Sequence, residues 1–250
     1  MQQEVPLSGG NASATVVRVG STVRKPWTAG SAGALQYMRM LRERGVDLPE
    51  PLGRDERGRM VTEFVAGPLA MDAGPLTTAQ LARVGGLVRA IHDASEGLGA
   101  QELGLGPALI PVPEPDLVCH GDLAPWNLLV GERWVFIDWD GAAASTRVWD
   151  LAYSAQAFTL NTPTADAFHA AQNLRAFVDG YRADAELRVE LADALPRRAW
   201  AMHDLLATSH REGREPWASM YADFHGAHWR SVARFLEQNA GAWRQALLQA

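Results

Sequence analysis

The sequence predicts an α+β chain in two parts, a small N-terminal lobe built on an antiparallel sheet and a larger, mainly helical lobe after it. Three observations carry this expectation. Before residue 67 the apolar residues fall in short alternating runs broken by Gly, Pro and Asp turns, which is the spacing of strands. From Thr77 onward they recur every three or four positions, which is the spacing of helices. Between the two patterns a strand-like run ends at Gly67-Pro68. The expected domains are therefore 1–67, with a hinge near 63–67, and 68–250.

The elements follow in order. Val16-Val17-Arg18-Val19, the turn Gly20-Ser21 and Thr22-Val23-Arg24 spell a hairpin that Pro26 ends. Upstream, Ser8-Gly9-Gly10-Asn11-Ala12-Ser13 is a turn whose backbone N–H groups suit an anion. Leu35, Met38 and Leu41 place a helix over 34–44, stopped by Gly45. Leu48-Pro49-Glu50-Pro51 is a breaker, Asp55-Glu56-Arg57-Gly58 a polar turn, and Met60 to Val65 a strand. A capping box at Thr77-Thr78-Ala79-Gln80 opens a helix to about Ser95, with Leu81, Val84, Val88 and Ile91 on one face. Residues 97–115 read as loop, and Leu128 to Ile137 as a second hairpin turning at Gly131-Glu132. Separate helices are expected over 164–181, 185–195, 196–210 and 217–239, the third opening on Pro196.

Composition narrows the class of protein. The formal charge of −6 argues against nucleic acid as partner, since phosphate backbones are bound by clustered Lys and Arg, and it suits a cationic small molecule. Lys25 is the sole lysine. The single cysteine, Cys119, follows Leu117-Val118 and is expected to be buried and inert; it excludes an internal disulfide. The start at Met1 lacks a basic-then-apolar signal, and no apolar run approaches the roughly 20 residues a membrane helix needs. The expectation is a cytoplasmic protein with no membrane partner.

The chemistry-bearing segment is His120 to Asp140. His120 stands two residues before Asp122, Asn127 five after it, and Asp138 eleven beyond Asn127 at the end of an apolar strand. This is the order and interval of a phosphoryl-transfer loop, with Gly121 where arginine is usual. The reaction asks chiefly for positioning and for neutralisation of charge on phosphate oxygens. Asp122 can accept the proton of an attacking hydroxyl, or orient it. The Asn127 amide oxygen and the Asp138 carboxylate are hard ligands for Mg²⁺.

His-Gly-Asp-Leu-Ala-Pro-Trp-Asn-Leu-Leu from His120, then Ile137-Asp138-Trp139-Asp140 and Trp149-Asp150-Leu151-Ala152, resembles the aminoglycoside phosphotransferase family, a relative of choline kinases and protein kinases. The resemblance implies a bilobal protein-kinase-like fold. It implies transfer of the γ-phosphate of ATP or GTP, with Mg²⁺, to a hydroxyl of a small acceptor such as an aminoglycoside, an amino alcohol or another metabolite. By it Asp122 is the catalytic residue, Asn127 and Asp138 are metal ligands, and His120 and Asp150 support the loop. The backbone of Glu63, Phe64 and Val65 is implied to read the adenine edge, and Gly9 and Gly10 to cover the phosphates. A cation on the strand after the first hairpin is implied at the α/β-phosphates. Arg24 ranks first for it and the adjacent Lys25 second, because strand alternation points only one of them inward. Asp140 is left between a second metal, reached through water, and solvent.

The glutamate that the family's next helix offers this cation is missing from the helix centre, which reads Leu35-Gln36-Tyr37-Met38 with Glu43 only near the end, so that either Gln36 hydrogen-bonds the cation instead or the helix has no such role. That departure supports the alternative expectation, a catalytically idle nucleotide-binding module. In the C-terminal third, Trp200, Trp217, Trp229 and Trp243 with Asp204, Glu212 or Asp223 could line a pocket for an amine-bearing acceptor, or serve as helix packing.

Overall fold

The computed structural model describes residues 3–7 and 16–248, so the expected turn with Gly9 and Gly10 lies outside the described residues. Packing divides the chain into two compact units, 1–75 with 91–145, and 76–90 with 146–250. The expected boundary at residue 67 falls inside the first.

The first unit opens with a five-stranded antiparallel sheet of β1 (Glu4–Pro6), β2 (Val17–Val19), β3 (Thr22–Lys25), β4 (Pro51–Arg54) and β5 (Met60–Glu63), in the order β1-β2-β3-β5-β4. Valine and threonine populate β2, β3 and β5, where branched side chains pack on a pleated face. β1 and β4 are not foreseen from the sequence. Both are short edge strands, and Pro51 is tolerated as the first residue of an edge, where its missing N–H breaks no ladder. The β3–β5 register sets Thr22 opposite Glu63 and Lys25 opposite Met60.

Helix α1 (Ser31–Glu43) buries Leu35, Tyr37, Met38 and Leu41 and packs against β4 and the short 3₁₀ turn Trp139–Gly141. The hydroxyl of Tyr37 lies 3.0 Å from the Val118 carbonyl and 2.7 Å from Ser95 Oγ, and its ring meets Trp139 edge-on at 5.6 Å. Ser95 ends α2 (Thr78–Ser95). After the loop of 97–115 comes β6 (Leu117–Cys119), then the hairpin β7 (Leu128–Val130) and β8 (Trp134–Phe136), then β9 (Ala143–Ser145). β6 pairs with β9, Cys119 opposite Ala143, so the chain leaves and re-enters the segment 120–142 at one ladder. That closure holds both ends of the chemistry-bearing loop.

The second unit is helical: α3 (Arg147–Thr159), α4 (Ala167–Tyr181), α5 (Ala185–Glu212), α6 (Trp217–Met220), a π-helical turn Tyr221–His225, α7 (Gly226–Gln238) and α8 (Ala240–Leu248). Thr146, Asp166 and Asp184 cap α3, α4 and α5 by accepting from backbone N–H groups of the first turn. α5 is central and packs against α3, α6, α7 and α8.

Two expectations are corrected here. The helices expected over 185–195 and 196–210 are one, running through Pro196. Proline removes one hydrogen bond, at a cost of about 3 kcal/mol in a helix interior. Leu191, Leu195, Ala199, Met202 and Leu206 nevertheless keep a single buried stripe across it, and that burial outweighs the loss. The helix expected over 217–239 carries the π turn, which adds a residue to one turn. Trp229 and Trp243 are 4% and 1% exposed, so these two are core packing. Cys119 is buried, as expected. Among the described residues no helix is long and apolar enough to cross a membrane.

Candidate active site

Gly121 shows why arginine is missing from the loop. Its φ is +84°, and a Cβ placed there would lie 2.8 Å from the carbonyl oxygen of Gly141. Only glycine adopts that backbone at such close approach without displacing its neighbour. The turn brings the Asp122 N–H to donate to Nδ1 of His120 at 3.2 Å, while Nε2 of His120 lies 3.1 Å from the Ile137 carbonyl. Those partners assign the Nε2–H tautomer, with Nδ1 as acceptor. The ring is fully buried and packs on Trp139, centroids 4.5 Å apart.

The five-residue interval between Asp122 and Asn127 is closed by a 3₁₀ turn, Pro125–Asn127, that folds the amide back on the carboxylate. Nδ2 of Asn127 donates to Asp122 Oδ2 at 2.7 Å and to the Asp122 carbonyl at 3.0 Å. Trp126 Nε1 donates to both carboxylate oxygens at 3.2 Å. Its nitrogen is engaged, so Oδ1, a hard oxygen, is the atom of Asn127 that could hold a metal.

Asp138 reaches the same place through the hairpin. The Ile137 N–H donates to the Asn127 carbonyl at 2.8 Å, and the next residue, Asp138, turns into the left-handed region with φ +63° and ψ +62°. Aspartate tolerates this conformation better than most residues, yet it is a strained state of the kind held at functional sites. Its side chain is 41% exposed.

Lys25 faces this pair. Its Nζ donates to Asp138 Oδ1 at 2.9 Å and lies 2.7 Å from Asp140 Oδ2, with the side chain 12% exposed. Burial works to lower the Lys25 pKa, but the charges of Asp138 and Asp140 outweigh it and the ammonium is held above its ordinary value. Burial likewise works to raise Asp138, and the Lys25 charge overrides it, so that carboxyl lies below its usual range.

Arg24, expected first for the cation at the α/β-phosphates, points away from Asp138. Its guanidinium donates to Asp55 Oδ2 at 2.9 Å and to Thr22 Oγ1 at 3.2 and 3.3 Å. The two-residue period of β3 puts Arg24 and Lys25 on opposite faces, and the face toward Asp138 belongs to Lys25. On α1, Gln36 is exposed while Tyr37 turns inward, and the carboxylate that meets the lysine beside Asp138 is Asp140, whose side chain is 29% exposed.

Glu63 to Gly67 and Gly131 to Arg133 line a groove of about 410 Å³. The Glu63 carboxylate accepts from Arg133 Nη1 at 2.6 Å and from the Glu50 N–H at 3.1 Å, so its side chain is occupied by the protein. The Phe64 N–H donates to the Ser21 carbonyl at 2.8 Å, and the guanidinium of Arg18 covers the Phe64 ring at 3.8 Å. Val65 is buried. Asp150 sits in the first turn of α3, 3% exposed, where a carboxylate is favoured by the helix dipole.

Sequence reasoning missed Trp126, Arg133 and the lysine's second partner Asp140. Arg133 carries no local signal, because its partners Glu63 and Asp47 lie 70 and 86 positions away. For Lys25 a signal existed: it is the chain's only lysine.

Residues 98–187 match the model of the phosphotransferase enzyme family. Among solved structures, the amicoumacin kinase in complex with AMP-PNP, Ca²⁺ and Ami superposes with a TM-score of 0.68 at 15% identity, covering 94% of this chain and 88% of that one. A microcompartment-associated aminopropanol kinase gives 0.67 at 16% identity, covering 98% and 94%. A choline/ethanolamine kinase family protein from Mesorhizobium loti gives 0.62 at 19% identity, covering 99% and 93%. At these identities the likeness is one of fold. No curated protein matches the chain. The segment that matches the phosphotransferase enzyme family runs from before His120 to beyond Asp150, and the fold around it is the one these small-molecule kinases share.

Proposed function

We propose that this protein passes the γ-phosphate of a nucleoside triphosphate, ATP or GTP, to a hydroxyl of a small acceptor, with Mg²⁺ as the metal and the cytoplasm as its place of work. The observation that carries the reading is the Asp122 carboxylate, bonded to the Asn127 amide at 2.7 Å, on a loop whose hairpin delivers Asp138 to the same backbone.

Asp122 accepts or orients the acceptor's hydroxyl proton, and the donors on its carboxylate hold it in one rotamer for that task. Asn127 Oδ1 and the Asp138 carboxylate fit Mg²⁺: both are hard oxygens, and Asp138 already carries a cationic partner in Lys25. Bound there, Mg²⁺ supplies neutralisation of charge on the phosphate oxygens. In this reading Lys25, and not Arg24, contacts the α/β-phosphates. His120 and Asp150 support the loop, the backbone at Glu63, Phe64 and Val65 reads the base, and Gly9 and Gly10 cover the phosphates. Residues 1–67 then serve the nucleotide and 68–250 catalysis and the acceptor.

An amino alcohol or aminoglycoside-like acceptor accords with the net charge of −6 and with the acceptors for which the similar kinases are named. Mg²⁺-dependent ATP and GTP consumption over a panel of amino alcohols and aminoglycosides tests the reading. Asp122→Asn should lower transfer about 10²- to 10⁴-fold while nucleotide affinity stays within about twofold. Equal turnover by wild type and variant would refute it.

A further inference from the structure

The single lysine of this chain is seated between two carboxylates. Its ammonium lies 2.9 Å from Asp138 and 2.7 Å from Asp140, largely shielded from water. One of those carboxylates is the proposed metal ligand, so any divalent cation arriving alone meets a positive charge already in contact with it. Like charges a few ångströms apart in a partly buried site cost on the order of tenfold to a thousandfold in a dissociation constant. Arg24 cannot relieve this arrangement, because Asp55 and Thr22 hold its guanidinium on the opposite face of β3.

The buried face of α1 (Ser31, Gly33, Ala34, Leu35, Tyr37, Met38 and Leu41) carries no acid. When Asp138 turns to a metal, Asp140 therefore remains as a carboxylate for an ammonium that is only 12% exposed.

We propose that Lys25 is an internal counter-cation: in the nucleotide-free protein it occupies Asp138 and Asp140 and keeps free divalent metal out. The metal then enters as its nucleotide complex, whose phosphates draw the ammonium away from Asp138 while Asp140 retains it. This rests on the reading of Asp138 as a metal ligand.

The test measures Mn²⁺ binding to nucleotide-free protein by calorimetry and by the loss of the free-ion electron paramagnetic resonance signal. Lys25→Met should bind Mn²⁺ at least about tenfold more tightly than wild type, whereas Lys25→Arg, which keeps the charge, should stay within about threefold of it. Adding Asp138→Asn to Lys25→Met should remove the gain. Lys25→Gln carries the same expectation as Lys25→Met and serves if the apolar substitution leaves the protein unfolded. Equal or weaker Mn²⁺ binding by both neutral variants, or a gain in Lys25→Arg as large as theirs, overturns the counter-cation. A gain that survives Asp138→Asn overturns instead the assignment of Asp138, and with it the inference built upon it.

Discussion

Replacing Gly121 by alanine tests how the loop that carries Asp122 is held. Two costs are present and can be separated. The first is conformational: at φ +84° an L-residue with a Cβ loses about 1–2 kcal/mol. The second is a collision, since the new Cβ would lie 2.8 Å from the Gly141 carbonyl oxygen, a backbone atom of the turn that follows Asp138. Overpacking of this kind costs about 1–3 kcal/mol. Gly45 provides the control: its φ is +89°, but nothing stands within 4 Å of its would-be Cβ. Gly45→Ala should therefore lose about 1–2 kcal/mol, and Gly121→Ala about 2–5 kcal/mol, in urea unfolding at pH 7. Transfer should follow the same order. Displacing the Gly121 turn shifts Asp122 relative to His120 Nδ1, which receives its N–H at 3.2 Å, so Gly121→Ala should lose turnover beyond its loss of folded protein. Equal destabilisation by the two substitutions would refute the close approach, and full turnover in folded Gly121→Ala would refute its part in positioning Asp122.

Two further outcomes follow from the sheet. Lys25→Met should weaken ADP binding in the presence of Mg²⁺ by about tenfold, and Arg24→Met by no more than about threefold, as read by calorimetry; the reverse ranking would contradict the orientation of β3. Asp55 accepts the Arg59 backbone N–H at 2.8 Å and the Arg24 and Arg59 guanidinia at 2.9 Å, and chiefly the Arg59 N–H holds its carboxyl far below the usual range. A carboxyl depressed in the folded state stabilises the fold above its unfolded pKa, about 3.9, and loses that contribution as pH falls toward its folded value. Urea midpoints should thus place Asp55→Asn below wild type at pH 7, with the gap narrowing as pH drops from about 4 to 2; a gap independent of pH would count against the ionised carboxylate as the cause.

The readable and unreadable parts of the fold differ by range. The hairpin β2–β3, the stripe of α1 and the capping box of α2 all follow from residues within a few turns of one another, and Thr77 and Gln80 indeed bond reciprocally. β4 escaped because Pro51 and Gly53 carry no strand propensity; its pairing with β5 and its contact with α1 make it a strand. Pro196 misled for the converse reason, since a local breaker was overruled by a buried stripe that only the surrounding helices create.

The same division runs through the site. Sequence alone placed His120, Asp122 and Asn127 side by side, because one turn and one 3₁₀ turn close eight residues on themselves, and the bonds that join them are local. It also determined that Asp138 follows on a hairpin, since β7 and β8 need only a short turn to pair. What it could not decide was which neighbour on β3 meets that aspartate. Alternation guarantees that Arg24 and Lys25 diverge, but which face looks toward Asp138 depends on pairing with β5 and on a contact spanning 113 positions. Only the tertiary structure could bring the lone lysine to Asp138 and Asp140, and local periodicity holds no information about a contact made across that separation.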